Sequence, residues 1–292
     1  GLALLAACRG AGHEGAYGDT EAALRALADS SGAEVAVYYR SLDGTDSLLL
    51  RPDLRMHAAS TMKVPVMIQL FRDADAGRLD LDATVEVTTT FRSIVDGSPY
   101  ELPEESDSDS ALYRRSGKRV PMRELVELMI TRSSNLATNL LIREADARRV
   151  TATMRELGAD SMEVLRGVED LPAFRAGMNN TTTARDLGAV LTALGTGRAA
   201  SEESTRAMLE ILGHQEFRSK IPAGLPPGTR VANKTGRITA ISHDAALVFP
   251  EGAPAYVLVV LTRGFDDPQA ADEVVARISG VVYRYHMTGS DP

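Results

Sequence analysis

The feature that most constrains the fold is a change of period along the chain, with strand-like patterns at both ends and helix-like patterns between them. Near the start, Glu34-Val35-Ala36-Val37-Tyr38-Tyr39-Arg40 is β-branched and aromatic, Asp43-Gly44 supplies a turn, and Ser47-Leu48-Leu49-Leu50 follows; this pattern predicts a β-hairpin. Near the end, Arg230 to Lys234, Ala240 to Phe249 and Ala255 to Thr262 read as three more strands, separated by Gly236 and by Glu251-Gly252-Ala253-Pro254. A helix from Pro268 to about Tyr285 closes the chain. In the middle, Leu125, Leu128 and Met129, then Leu187, Val190, Leu191 and Leu194, recur at helical spacing, and Pro121 stands at a first-turn position. Strands from both termini that join one sheet predict an α/β (α+β) fold: a five-stranded antiparallel sheet flanked by helices, plus an inserted all-helical domain. The expected division is 19-85 with 205-292 for the α/β domain and 86-204 for the helical one, which carries an Ω-like loop at 166-180.

A chain of 292 residues with 44% hydrophobic and 25% charged residues can bury a sizeable core and is neither disordered nor fibrous. The 32 Lys and Arg against 40 Asp and Glu give a formal charge of -8, so no nucleic-acid partner is expected. The single cysteine, Cys8, rules out an internal disulfide and a cysteine metal cluster, and the five histidines show no ligand spacing; no metal or cofactor is expected. Cys8 ends the apolar run Gly1-Leu2-Ala3-Leu4-Leu5-Ala6-Ala7, and Leu5-Ala6-Ala7-Cys8 resembles a bacterial lipobox. The expectation is an extracytoplasmic monomer tethered to a membrane through a lipidated Cys8, with 9-18 as a linker and a short helix from Thr20 to about Asp29. The acidic run at 103-110 reads as a solvated loop without chemistry.

One short motif carries the chemistry. Ser60-Thr61-Met62-Lys63 opens a helix predicted over 60-77, which sets Lys63 beside the Ser60 hydroxyl one turn away, with the positive end of the helix dipole at Ser60. A serine hydroxyl attacks only when a neighbour removes its proton, and a lysine does that only when burial or another cation depresses its pKa. Ser-x-x-Lys alone occurs by chance. Two further triplets give it company: Ser133-Ser134-Asn135 at a break between two helices, and Lys234-Thr235-Gly236 at the end of a strand.

In that order, the three triplets resemble the penicillin-recognising serine acyltransferases, namely class A β-lactamases and DD-peptidases. The likeness extends through Ala137-Thr138-Asn139-Leu140-Leu141, Thr181-Thr182-Thr183 and Gln215, so it covers about 20 to 287. It implies Ser60 as nucleophile, Lys63 as base or proton relay, Ser133 as proton donor to the leaving nitrogen, and Glu169 as the base of the hydrolytic half-reaction. It implies substrate binding by Asn135, Lys234, Thr235, Gly236 and Arg237, with the Ser60 and Arg237 N–H groups as oxyanion hole. The substrate would be a β-lactam or a D-Ala-D-Ala-like peptide.

The chain also departs from the family. Ser134 replaces the usual Asp, and an N-cap role is open to it. His243 stands loosely where relatives offer an arginine, and reads as a strand-edge histidine. The loop lacks Arg-x-Glu-x-x-Leu-Asn: it runs Arg166-Gly167-Val168-Glu169-Asp170-Leu171-Pro172-Ala173, so Glu169 comes one residue late and Asp170 is the other candidate base. Asn180 replaces the aspartate that would pair with Arg166. Three functions follow: a serine β-lactamase, a slow-deacylating penicillin-binding protein or DD-peptidase, and a non-catalytic peptidoglycan-binding module.

Overall fold

A computed structural model describes the backbone of residues 2–288 and the side chains of residues 15–288. Cys8 and its lipidation lie outside the described side chains. The chain begins with helix α1 (Leu2–Ser30), so the stretch expected as a linker is helical; its glycines each cost only about 1 kcal/mol against alanine, and the alanine- and leucine-rich turns on either side outweigh them. The hairpin follows as β1 (Glu34–Ser41) and β2 (Ser47–Leu50), then β3 (Met56–His57), a 3-10 turn at Ala59–Met62 and α2 (Lys63–Asp75). Four short strands come next: β4 (Thr84–Glu86), β5 (Thr90–Arg92), β6 (Pro99–Glu101) and β7 (Arg119–Pro121). The helices α3 (Met122–Thr131), α4 (Asn135–Ala145), α5 (Ala147–Glu156) and α6 (Leu171–Arg175) precede β8 (Thr181–Thr182), α7 (Ala184–Gly195) and α8 (Glu202–Gly213). Strands β9 (Arg230–Ile238), β10 (Ile241–Phe249) and β11 (Tyr256–Arg263) and helix α9 (Pro268–Thr288) complete the chain.

The main sheet has five strands in the order β2-β1-β11-β10-β9, all antiparallel, with Val37 opposite Val260 and Ala245 opposite Lys234 in register. It is buried on both faces, and this explains why Tyr256-Val257-Leu258-Val259-Val260-Leu261 is an unbroken apolar run and not an alternating one. Side chains one apart go to opposite sides. Ala36, Tyr38, Val257, Val259 and Leu261 join α2, α4 and α7 in the larger core, while Val35, Val37, Leu258 and Val260 pack against Leu24 and Leu27 of α1 and Val275 and Ile278 of α9.

Two local expectations are corrected. Gly236 does not separate strands: β9 runs through it to Ile238, and the turn falls at Thr239-Ala240, where Ala240 takes a φ of +58°. His243 is not at an edge. It is fully buried on β10, an interior strand, with Nδ1 accepting from Thr262 N–H at 3.1 Å and Nε2 facing the His57 carbonyl at 3.0 Å. These two partners require the neutral Nε2–H tautomer, and burial depresses the ring's pKa to about 4.

Candidate active site

Three distant stretches of chain meet at a cleft of about 320 Å³ lined by Ser60, Ser133, Asn135, Lys220, Thr235 and Arg237. Ser60 comes from the 3-10 turn that leads into α2, so the predicted helix starts three residues later than expected. The residue before it, Ala59, is held at φ +47° with its N–H donated to His57 Nδ1 at 2.9 Å. Gly236 abuts this turn: a Cβ there would sit 3.2 Å from Ser60 N, Ala59 Cβ and Thr61 Cγ2. The third triplet needs a glycine because strand and turn touch.

Ser133 lies between α3 and α4 at φ +58°, which turns its side chain out of the helical path. Its Oγ receives two ammonium groups, Lys63 Nζ at 3.1 Å and Lys234 Nζ at 3.0 Å. Lys63 Nζ also donates to Ser133 O at 2.6 Å and Asn135 Oδ1 at 3.0 Å, and Lys234 Nζ to Thr235 O at 2.9 Å. Both lysines are fully buried. Desolvation brings Lys63 down to about 7, with the Asp107 charge opposing it. Desolvation first, then the Lys63 and Lys220 charges, hold Lys234 well below the ordinary lysine range. Among the described residues, the Ser60 hydroxyl makes no hydrogen bond, so the expected Ser60–Lys63 contact is absent: Ser60 lines the cleft, and Lys63 sits behind it on Ser133 and Asn135.

The residue at 134 resolves differently from the family pattern. Ser134 caps α4, accepting from Ala137 N–H at 3.2 Å. The carboxylate comes from Asp107, in the run read as a solvated loop: it accepts from Asn135 N–H at 3.0 Å and Leu136 N–H at 2.7 Å, with Ser134 Oγ and the Tyr113 hydroxyl each at 3.3 Å. Asp107 therefore fixes the start of α4, and with it Asn135 and Ser133.

Three further groups were given no role by the sequence. Lys220 is buried beside the cleft, with Nζ donating to His243 O at 3.1 Å. Asp272 of α9 is the sole carboxylate lining the cleft among the described residues, and it accepts from Arg237 at 2.5 Å, Ser219 Oγ at 2.6 Å and Ser242 Oγ at 2.9 Å. Arg237 is thus pinned by an ion pair. Asn139 grips the loop, accepting from Val168 N–H at 2.7 Å and donating to Val168 O at 3.0 Å. No triplet marked these positions; only the fold brings them in.

The loop does not deliver its expected base. Glu169 is exposed at φ +61° and is absent from the cleft lining, and the residue clamped by Asn139 is the apolar Val168. Asp170 is buried and committed, accepting from Ser93 Oγ at 2.8 Å, Ile94 N–H at 3.0 Å and Ala173 N–H at 3.1 Å. The loop's neck closes without a salt bridge. Asn180 Oδ1 accepts from Leu165 and Arg166 N–H at 2.8 and 3.1 Å, its Nδ2 donates to Arg166 O at 2.9 Å, and the Arg166 guanidinium reaches Met178 O at 2.9 Å and Asn179 Oδ1 at 3.1 Å.

A hydroxyl lining a cleft, with two desolvated lysines behind it that share a second hydroxyl, is an arrangement suited to serine acyl transfer. The β-lactamase enzyme family model matches residues 19–286, and the chain belongs to that family. A β-lactamase of Streptomyces fradiae is 28% identical over 94% of this chain and 89% of its own length. Among solved structures, a β-lactamase from Sphaerobacter thermophilus aligns with a TM-score of 0.81 at 27% identity, covering 92% of this chain and 97% of its own. An acyl-enzyme complex of a PBP-A variant with penicillin G aligns at 0.79 and 26% identity, covering 92% and 97%.

Proposed function

We propose that this enzyme is a class A-type serine β-lactamase that opens the β-lactam amide through an acyl-enzyme on Ser60. Ser60 Oγ attacks the carbonyl carbon and its proton passes to neutral Lys63; the C–N bond then breaks as the nitrogen takes a proton through Ser133 Oγ. Lys234 and Lys220 attract the substrate carboxylate, Thr235 donates to it, and Asn135 binds the side-chain amide. The N–H groups of Ser60 and Arg237 hold the oxyanion, where losing one donor costs roughly 100- to 1,000-fold. Water then cleaves the ester. The convergence of both lysines on Ser133 Oγ carries this reading, because it prepares one hydroxyl to relay protons in a dry site. Benzylpenicillin followed by intact mass tests it: a transient adduct on Ser60, absent in Ser60→Ala, with multiple turnovers of a chromogenic cephalosporin, is the expected result.

A second reading, a slow-deacylating penicillin-binding protein or DD-peptidase, is favoured by one observation: neither Glu169 nor Asp170 lines the cleft. In that case, the adduct forms and persists, and the cephalosporin gives a single burst. We extend the proposal to location: an extracytoplasmic monomer anchored through Cys8, for which loss of fatty-acid labelling in Cys8→Ser is the test.

A further inference from the structure

A second, larger cavity of about 920 Å³ lies behind the 164–170 segment and shares no lining residue with the cleft. Its walls come from β5, β6, α4, α5 and the loop. They carry Arg92, Arg143, Arg148, Arg155 and Arg166 against only Asp146 and Asp170, in a chain whose formal charge is -8. Both aspartates are already engaged. Asp170 is buried in the hydrogen bonds described above, and Asp146 caps α5, accepting from Arg148 N–H at 2.9 Å. Arg166 is fixed by loop carbonyls and by Asn179. Arg143, Arg148 and Arg155 have no ion pair and no side-chain hydrogen bond among the described residues. Arg148 and Arg155, seven residues apart, share one face of α5. Five guanidinium charges against two carboxylates leave the lining net positive, and an anion is attracted to it.

Part of the remaining wall is apolar and aromatic. Phe91 and Tyr100 pack with ring centroids 6.0 Å apart, and Ile142, Leu165 and Met178 line the same space. A cavity of this size, with an apolar wall beside several charges, has the character of a small-molecule site. Guanidinium forks match the oxygen geometry of a phosphate.

We propose that this cavity binds a small organic phosphate monoester, its dianionic head among Arg143, Arg148 and Arg155 and its apolar body against Phe91 and Tyr100. The test is titration calorimetry of the full chain with phenyl phosphate, alongside inorganic phosphate and phenol. Saturable binding is expected, tighter than for either fragment. It weakens about tenfold or more in Arg143→Ala/Arg148→Ala. Because these arginines are exposed, the variant should fold, and Arg143→Gln/Arg148→Gln with a matching circular dichroism spectrum checks that the loss is one of charge. The proposal is overturned by absence of saturation, by affinity indifferent to the arginines, by equal binding of inorganic phosphate or phenol, or by competition with penicillin.

Discussion

Lys63 and Lys234, 171 positions apart in the sequence, donate to the same oxygen, Ser133 Oγ, at 3.1 and 3.0 Å. Two ammonium groups on one oxygen repel each other, and in a desolvated site that favours having one of them neutral. Lys63, brought to about 7, changes state near physiological pH. Only its neutral form accepts the Ser60 proton. Acylation should therefore rise with pH through about 7 and level off above it. Stopped-flow acylation by a reporter β-lactam from pH 5 to 9 reads this directly, and Lys63→Met should lower the rate by roughly 100- to 10,000-fold and abolish the limb. A flat profile in the wild type would remove Lys63 from the role of base.

Asp107 links a surface loop to the second triplet. Asp107→Ala orphans the Asn135 and Leu136 N–H groups at the start of α4, and a stability loss on the order of 2 kcal/mol is expected from urea denaturation. Acylation should fall as well, since Asn135 and Ser133 lose their anchor. Asp107→Asn retains an acceptor oxygen and should recover part of both.

The loop's neck depends on one neutral amide. Asn180→Ala removes three hydrogen bonds at a position 3% exposed, and the 164–180 segment should become the first site of proteolysis while the sheet stays protected. Amide exchange over this segment should quicken by about tenfold or more. Gly167→Ala attacks the same loop from the other side, because its Cβ would lie 2.3 Å from Asn139 Oδ1 and force the clamp open.

His243 gives stability a pH dependence of known sign. Folded, it stays neutral down to about 4, whereas the unfolded ring takes a proton near 6.5. Between these values the unfolded state holds more protons, so stability falls as pH drops, by at most about 1.4 kcal/mol per pH unit from this group, and levels off below the folded value. Denaturation midpoints should therefore decline less steeply from pH 6.5 to 4 in His243→Gln than in the parent. The variant should also acylate more slowly, because His243 braces the His57 carbonyl and His57 holds the turn before Ser60.

Residue type and local order made the sheet and the residues gathered at the cleft readable. The hairpin, the three late strands and the helical stripes announce themselves by period, and Ser60, Lys63, Ser133, Lys234 and Thr235 announce themselves as triplets. Contributions that depend on tertiary contact stayed silent. Asp107 looks like any residue of an acidic loop until α4 begins beside it, and Lys220 and Asp272 carry no pattern that points to a cleft. Gly236 reads as a turn glycine because closeness to another segment leaves no mark in the sequence. Glu169 was misplaced for a related reason: spacing counts residues, whereas Asn139 selects which of them faces inward, and it selects Val168.

The contact between Gly236 and the Ser60 turn makes Ser60 a passenger of the sheet's edge strand. Local melting at either element would misplace the hydroxyl before the rest of the chain noticed. Little room exists for a loosened yet working enzyme, so heat inactivation should coincide with the cooperative loss of fold, and gains in activity through looseness are to be sought in the loop behind Asn139 and not at the sheet.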